Sequence, residues 1–293
     1  MLRRGFGESG LEVSALGFGA GHIGDPGMGE GQVEGLLGEA LDLGITLIDT
    51  ARSYGESEAR IGRHLGGRRA EFVLSTKVGY GIEGFEDWTG GCVSAGIEAA
   101  LARLRTDWID VVHLHSCPLS VLERGDVIEA LERARERGQI RVAAYSGEGE
   151  ALDWAVGCGA FGGVQLSVNV CDQGAMGGLL GRAGAAGVGV IAKRPLANAP
   201  WRFAARPEAD DLAIYWERFE ALGLDRGGEA WGEVALRFSA FAPGVCSAIV
   251  GTSSRSRLAM HARAVEAGAL EVEAVEAIRA AWRAAGGGWA GVI

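Results

Sequence analysis

Eight times along its 293 residues the chain repeats one unit, a short apolar run followed by a longer helix-like stretch. The runs are 15–18, 46–49, 72–76, 108–114, 140–145, 163–168, 187–192 and 246–250. Short apolar runs read as strands, and stretches with apolar residues three and four apart read as amphipathic helices. The helical stretches are 33–43, 56–65, 93–104, 127–137, 149–158, 175–185, 228–241 and 253–267. Strand then helix, repeated eight times in a chain near the usual ~250 residues, is the pattern of a (β/α)8 TIM barrel. A single barrel domain over 1–293 is therefore expected.

Two pieces lie outside the repeat. The opening FGESGLEVS reads as a β-hairpin with Ser9-Gly10 at its turn, suited to plug the barrel floor, and an extra C-terminal helix is expected over 271–285. The longest insertion, 195–227, carries Trp201, Phe203, Tyr215 and Trp216 and reads as a substrate-side flap. A doubly wound open sheet is the alternative, but no GxGxxG opens a helix near the N-terminus. The run Gly17 to Gly21 is too generic to count.

The net charge of −10 argues against non-specific binding to nucleic acid or to an anionic membrane surface, both of which need positive charge facing phosphate. No apolar run approaches the roughly 20 residues of a membrane helix. MLRRGFGESG has no apolar stretch behind its arginines, so it does not read as a secretory signal, and the cytoplasm is the expected location. Five cysteines, Cys92, Cys117, Cys158, Cys171 and Cys246, form no CxxC pair and read as reduced thiols. Of the 28 basic residues only Lys77 and Lys193 are lysine. Whatever pressure favoured arginine was resisted at two places.

In a barrel of this kind chemistry sits where strands end and βα loops begin. Strand two ends at Asp49 with Tyr54 beyond it, strand three at Lys77, strand four at His115, strand five at Ser146 and strand seven at Lys193-Arg194, while strand six holds Gln165. Each has a plain reading: Asp49 as a helix cap, Tyr54 as a surface aromatic, and one of His113 and His115 as a core histidine. Lys77 is harder to dismiss, because a compact ammonium has a tunable pKa and a guanidinium does not. Together these groups make a proton-transfer device. An ammonium beside a tyrosine favours the phenolate, a carboxylate holds the ammonium, and an imidazole orients a carbonyl oxygen. There is no cluster suited to a catalytic metal and no GxSxG.

These motifs resemble those of the aldo-keto reductases. LGFGAG is similar to the family's first strand, GITLIDTARSYG to the segment holding its Asp and Tyr, FVLSTKVG to that holding its Lys, and LRTDWIDVVHLHS to the strand ending in its His. The resemblance spans essentially the whole chain and implies metal-free, NAD(P)H-dependent carbonyl reduction, or the reverse, by direct hydride transfer. By it Tyr54 is the general acid, Lys77 tunes it, Asp49 pairs with Lys77, and His115 orients the carbonyl, leaving His113 as the bystander. It also implies cofactor contacts from Gly19, Asp49, Ser146, Gln165, Lys193 and Arg194. IVGTSSRSRLAMH resembles the adenosine-phosphate segment, which adds Gly251, Thr252, Ser253, Arg257 and His261. Three departures stand out: Gly147 replaces the asparagine that follows the serine, Lys193-Arg194 replaces an aromatic beneath the nicotinamide, and Met260 and His261 replace a Glu and an Asn. Arg257 falls on the arginine for the 2′-phosphate, which favours NADPH over NADH.

The leading expectation is an NADPH-dependent oxidoreductase acting on a small-molecule aldehyde, ketone or sugar-like carbonyl. The alternative is a nucleotide-binding regulatory subunit on the same barrel with little turnover. A metal-dependent isomerase would need acidic ligands at several strand ends, where only Asp49 and Asp172 are available. Trp88, Trp201, Phe203, Trp216 and Trp289 are candidates to line the substrate mouth.

Overall fold

The computed structural model describes residues 1–224, 230–285 and 288–292. A two-stranded antiparallel hairpin, β1 (Arg3–Gly5) and β2 (Glu12–Ser14), opens the chain. Eight parallel strands follow and close into a barrel: β3 (Leu16–Gly19), β4 (Leu47–Asp49), β5 (Val73–Val78), β6 (Ile109–His115), β7 (Ile140–Ser146), β8 (Gly163–Ser167), β9 (Gly189–Lys193) and β10 (Ser247–Val250). β10 pairs with both β9 and β3, so no edge is left open. The helices are α1 (Glu30–Asp42), α2 (Ser57–Leu65), α3 (Gly90–Leu104), α4 (Leu119–Arg124), α5 (Asp126–Glu136), α6 (Gly149–Gly157), α7 (Leu179–Ala185), α8 (Asp210–Leu222), α9 (Trp231–Ala240), α10 (Arg255–Glu266) and α11 (Val272–Ala285). Among the described residues no helix is long and apolar enough to cross a membrane.

Both the expected barrel and the expected hairpin are present, with Gly10 in the turn at φ +73° and Ser9 Oγ donating to the Phe6 carbonyl at 2.5 Å. Phe6 enters the floor and is fully buried among Leu47, Val111, Val142 and Ile191. Its ring fits because β8 and β9 both begin with glycine. A Cβ at Gly163 or Gly189 would fall 2.7 or 2.5 Å from Phe6 atoms. Burying this ring contributes on the order of 2–3 kcal/mol.

The 195–227 insertion departs from expectation. Gly227 and the first residues of the 228–241 stretch lie outside the described residues, but α8 is helical, and its Tyr215, Phe219 and Leu222 recur at the three-to-four spacing that buries one helix face. With Trp231, Phe238, Ile278 and Trp282 they form a second core outside the barrel. Trp216 Nε1 donates to the Phe203 carbonyl at 3.0 Å. Of Trp201, Phe203, Tyr215 and Trp216 only Trp201 reaches the cleft described below; Tyr215 is packed in the second core, and Phe203 and Trp216 are tied to each other by the bond just given.

Candidate active site

Along β4 to β9, alternation carries the inward residues from apolar or glycine at the floor to polar near the C-terminal end. Lys77 Nζ donates to Asp49 Oδ2 at 2.7 Å and to the Thr50 carbonyl at 2.8 Å, and both side chains are almost wholly buried. A buried ion pair survives only when its remaining polar atoms are also satisfied. Here Ser75 Oγ and Gln165 Nε2 donate to Asp49 Oδ1 at 2.8 and 2.9 Å. Burial opposes the charge on Lys77, but Asp49 and Tyr54 outweigh it and hold its pKa above the ordinary lysine value. The ammonium is therefore a fixed cation, and it lies 5.0 Å from the centre of the Tyr54 ring. Asp49 caps no helix.

Tyr54 follows β4 in a tight turn whose N–H groups bond back at 3.0 Å, Tyr54 to Ala51 and Ser57 to Tyr54. Buried Ser57 anchors that turn by donating to the Ala20 carbonyl at 2.8 Å. The ring of His115, at the end of β6, meets Tyr54 edge-on with centroids 6.4 Å apart. Burial first, and then the Lys77 charge, pushes the His115 pKa down to about 3, so it stays neutral at physiological pH. His113 lies deeper, and burial lowers its pKa to about 4. It is more than a bystander. Ser75 gives its proton to Asp49, so the 3.1 Å contact with His113 Nε2 has the histidine donating and bracing Ser75.

A cleft of about 1050 Å³ opens above this cluster. Asp49, Tyr54 and His115 line it, as do Gly19, Ser146, Gln165, Lys193 and Arg194; Gly251, Thr252, Ser253, Arg257 and His261 line its far end. Lys77 lies just beneath. Ser146 Oγ donates to Gln165 Oε1 at 3.1 Å, tying two of these residues to Asp49. At the far end Ser254 caps α10, its Oγ accepting from Arg257 N at 3.4 Å, so the first turn of a twelve-residue helix faces the cleft. Among the described residues the Arg257 guanidinium has no carboxylate partner. Free helix amides and an uncommitted guanidinium form a donor set suited to a phosphate.

Gly147 has a steric reason. A Cβ there would fall 2.4 Å from Tyr145 Oη, which is buried and donates to the Cys117 carbonyl at 3.1 Å. Lys193 Nζ pairs with Glu148 Oε1 at 3.2 Å, and Arg194 Nη1 donates to the Val292 carbonyl at 2.6 Å. Glu148 was not among the residues singled out from sequence, because a glutamate after a strand carries no signal of burial. Trp88 and Trp289 do not line the cleft: they pack on Tyr80 and Trp282. Burial holds the Cys117 thiol protonated, with its pKa pushed up to about 12, and Cys117 is also outside the cleft lining.

A sequence model described as the aldo/keto reductase family matches residues 15–283. The chain belongs to the aldo/keto reductase family. It is accordingly an oxidoreductase, in a family that uses NAD(P)H and acts on small-molecule carbonyl substrates. An L-galactose dehydrogenase of Arabidopsis thaliana is 28% identical over 283 residues, covering 89% of this chain and 87% of that protein. The holo form of an aldo-keto reductase from Bacillus halodurans superposes with a TM-score of 0.84 at 27% identity, covering 98% of this chain and 97% of the other. A second Arabidopsis protein, named as a probable voltage-gated potassium channel subunit beta, is 34% identical over 122 residues, 39% of this chain and 37% of that one.

Proposed function

We propose that this aldo-keto reductase uses NADPH to reduce an aldehyde, ketone or sugar-like carbonyl, or runs the same step in reverse on the alcohol. The observation that carries the reading is the buried Asp49–Lys77 pair set beneath the Tyr54 ring. NADPH, when bound, supplies the hydride to the carbonyl carbon. Tyr54 gives its phenolic proton to the oxygen as that oxygen gains negative charge, and the Lys77 ammonium stabilises the phenolate left behind. Asp49 fixes Lys77 in place, and neutral His115 donates a hydrogen bond that orients the carbonyl. Arg257 supports NADPH over NADH, since only NADPH carries a 2′-phosphate for the guanidinium to bind. Similarity to a protein named L-galactose dehydrogenase supports including aldoses among the substrates.

The test is nucleotide oxidation against a panel of aldehydes, ketones and aldoses, with NADP+ and NAD+ reduction by sugars run in parallel, for wild type and Tyr54→Phe. Turnover that depends on Tyr54 and prefers NADPH is expected. Tight nucleotide binding without turnover on any substrate would overturn the reading in favour of a regulatory subunit, the alternative that the partial match to a channel subunit supports.

A further inference from the structure

A neutral imidazole carries one N–H and one bare nitrogen, and His115 serves the proposed reaction only if the N–H faces the substrate. Its Nδ1 lies 2.9 Å from the hydroxyl of Tyr80, and the two rings stack with centroids 5.7 Å apart and planes 24° from parallel. We propose that Tyr80 is a positioning residue that donates its hydroxyl proton to His115 Nδ1 and so places the imidazole proton on Nε2. In the opposite tautomer Nδ1–H would point at the Tyr80 oxygen, and Nε2 would turn a lone pair toward the carbonyl it is meant to hold. Of the two groups the phenol is the better acid, which makes it the donor. Burial, by keeping His115 neutral, leaves the choice between tautomers to this one contact.

The loop after β5 is built to deliver the hydroxyl. Gly79 takes φ +132°, a conformation few side chains tolerate, and a Cβ there would fall 2.2 Å from the six-membered ring of Trp88. Trp88 N–H donates to the Gly79 carbonyl at 2.7 Å, and the Trp88 carbonyl accepts from Arg124 Nη2 at 2.5 Å. The Trp88 indole then packs on the Tyr80 ring with centroids 5.5 Å apart. Tyr80 is thus held between Trp88 and His115, with no other hydrogen-bond partner for its hydroxyl among the described residues.

The inference rests on the proposed role of His115, but its test does not require turnover. In 15N-histidine-labelled protein, long-range 1H–15N correlations identify which ring nitrogen is protonated, and His115→Gln identifies the His115 signals by their loss. Wild type is expected to show the Nε2–H form. Tyr80→Phe keeps the ring and its stacking, and should move His115 toward a mixture of tautomers. Its kcat should fall about 3- to 10-fold, with the KM for nucleotide unchanged. An Nδ1–H form in wild type, a tautomer unmoved in Tyr80→Phe, or a moved tautomer with full kcat would each overturn the proposal. A moved tautomer in a protein with no turnover on any carbonyl would support Tyr80 as the tautomer-setting group and overturn the catalytic reading instead.

Discussion

At the barrel floor the inward side chains are Leu47, Val73, Val111, Val142 and Ile191, closed off by Phe6. On the same faces of the same strands, nearer the C-terminal end, stand Asp49, Lys77, His115, Ser146 and Lys193. The floor works by volume alone: a ring placed where two strands offer glycine. The mouth works by pairing. Asp49 is buried as deeply as the floor residues, and it is held by Lys77, Ser75 and Gln165 together. One fold can therefore carry an inert end and a reactive end, because shape and hydrogen-bond satisfaction are separate demands on the same strand.

The sharpest break between the two ends is a pair of substitutions. Tyr54→Phe should lower kcat by about 100- to 10,000-fold, the range for loss of a general acid, with thermal stability and NADPH affinity nearly unchanged. Phe6→Ala should do the reverse, costing about 3–5 kcal/mol in urea unfolding while the folded fraction keeps its kcat. If Phe6→Ala lowered kcat of fully folded protein, the two ends would be coupled.

Next in size is Arg257→Ala, which should weaken NADPH binding by about 1.5–3 kcal/mol and leave NADH binding almost unaltered, as judged by fluorescence titration with both nucleotides. Equal losses would place Arg257 on the shared pyrophosphate or in a structural role. The effect of pH follows. His113 has a folded pKa of about 4, below the ordinary value near 6.5, so on acidification the unfolded chain takes up a proton that the folded one refuses. The stability contributed by His113 is full above pH 6.5 and falls as pH drops toward 4, by about 1–2 kcal/mol between pH 6.5 and 5, and His115, lowered to about 3, adds a loss of the same sign. Urea unfolding of His113→Gln should show a shallower slope over that window, and an identical slope would remove His113 as the source.

The smallest effect is expected at Lys193. Lys193→Arg keeps a cation opposite Glu148 at a partly open position and should retain kcat within about tenfold. Lys77→Arg should not, since a planar fork has no room between Asp49 and the Tyr54 ring. Equal losses at the two lysines would erase the distinction between a buried cation beneath the Tyr54 ring and one at the rim.

Much of this was legible in the chain because strand ends recur at a fixed place in a barrel. The eight expected runs match β3 to β10 within about two residues at each end. The expected helix 175–185 instead begins at Leu179, after a 3-10 turn at Gly174–Gly177 and Gly178 at φ +143°, since adjacent glycines break the helical hydrogen-bond run. α8 lies inside the insertion whose length and aromatic residues suggest a substrate-side flap. The aromatic residues misled because composition says only that a ring is present, and the packing of Trp88 on Tyr80 and of Trp289 on Trp282 is what turns those rings away from the cleft.

Period and punctuation, both local, determined the strand–helix alternation, the hairpin and the order Asp49, Tyr54, Lys77, His115. Tertiary structure alone decided that His113 braces Ser75, that Tyr80 reaches His115 Nδ1, that Glu148 pairs with Lys193 and that Tyr145 leaves room only for glycine at position 147. The first three are contacts between different strands or loops, and the fourth depends on one, since the Cys117 carbonyl holds the Tyr145 hydroxyl in place. Their geometry depends on how the closed barrel rotates one strand against the next, which no spacing along the chain encodes.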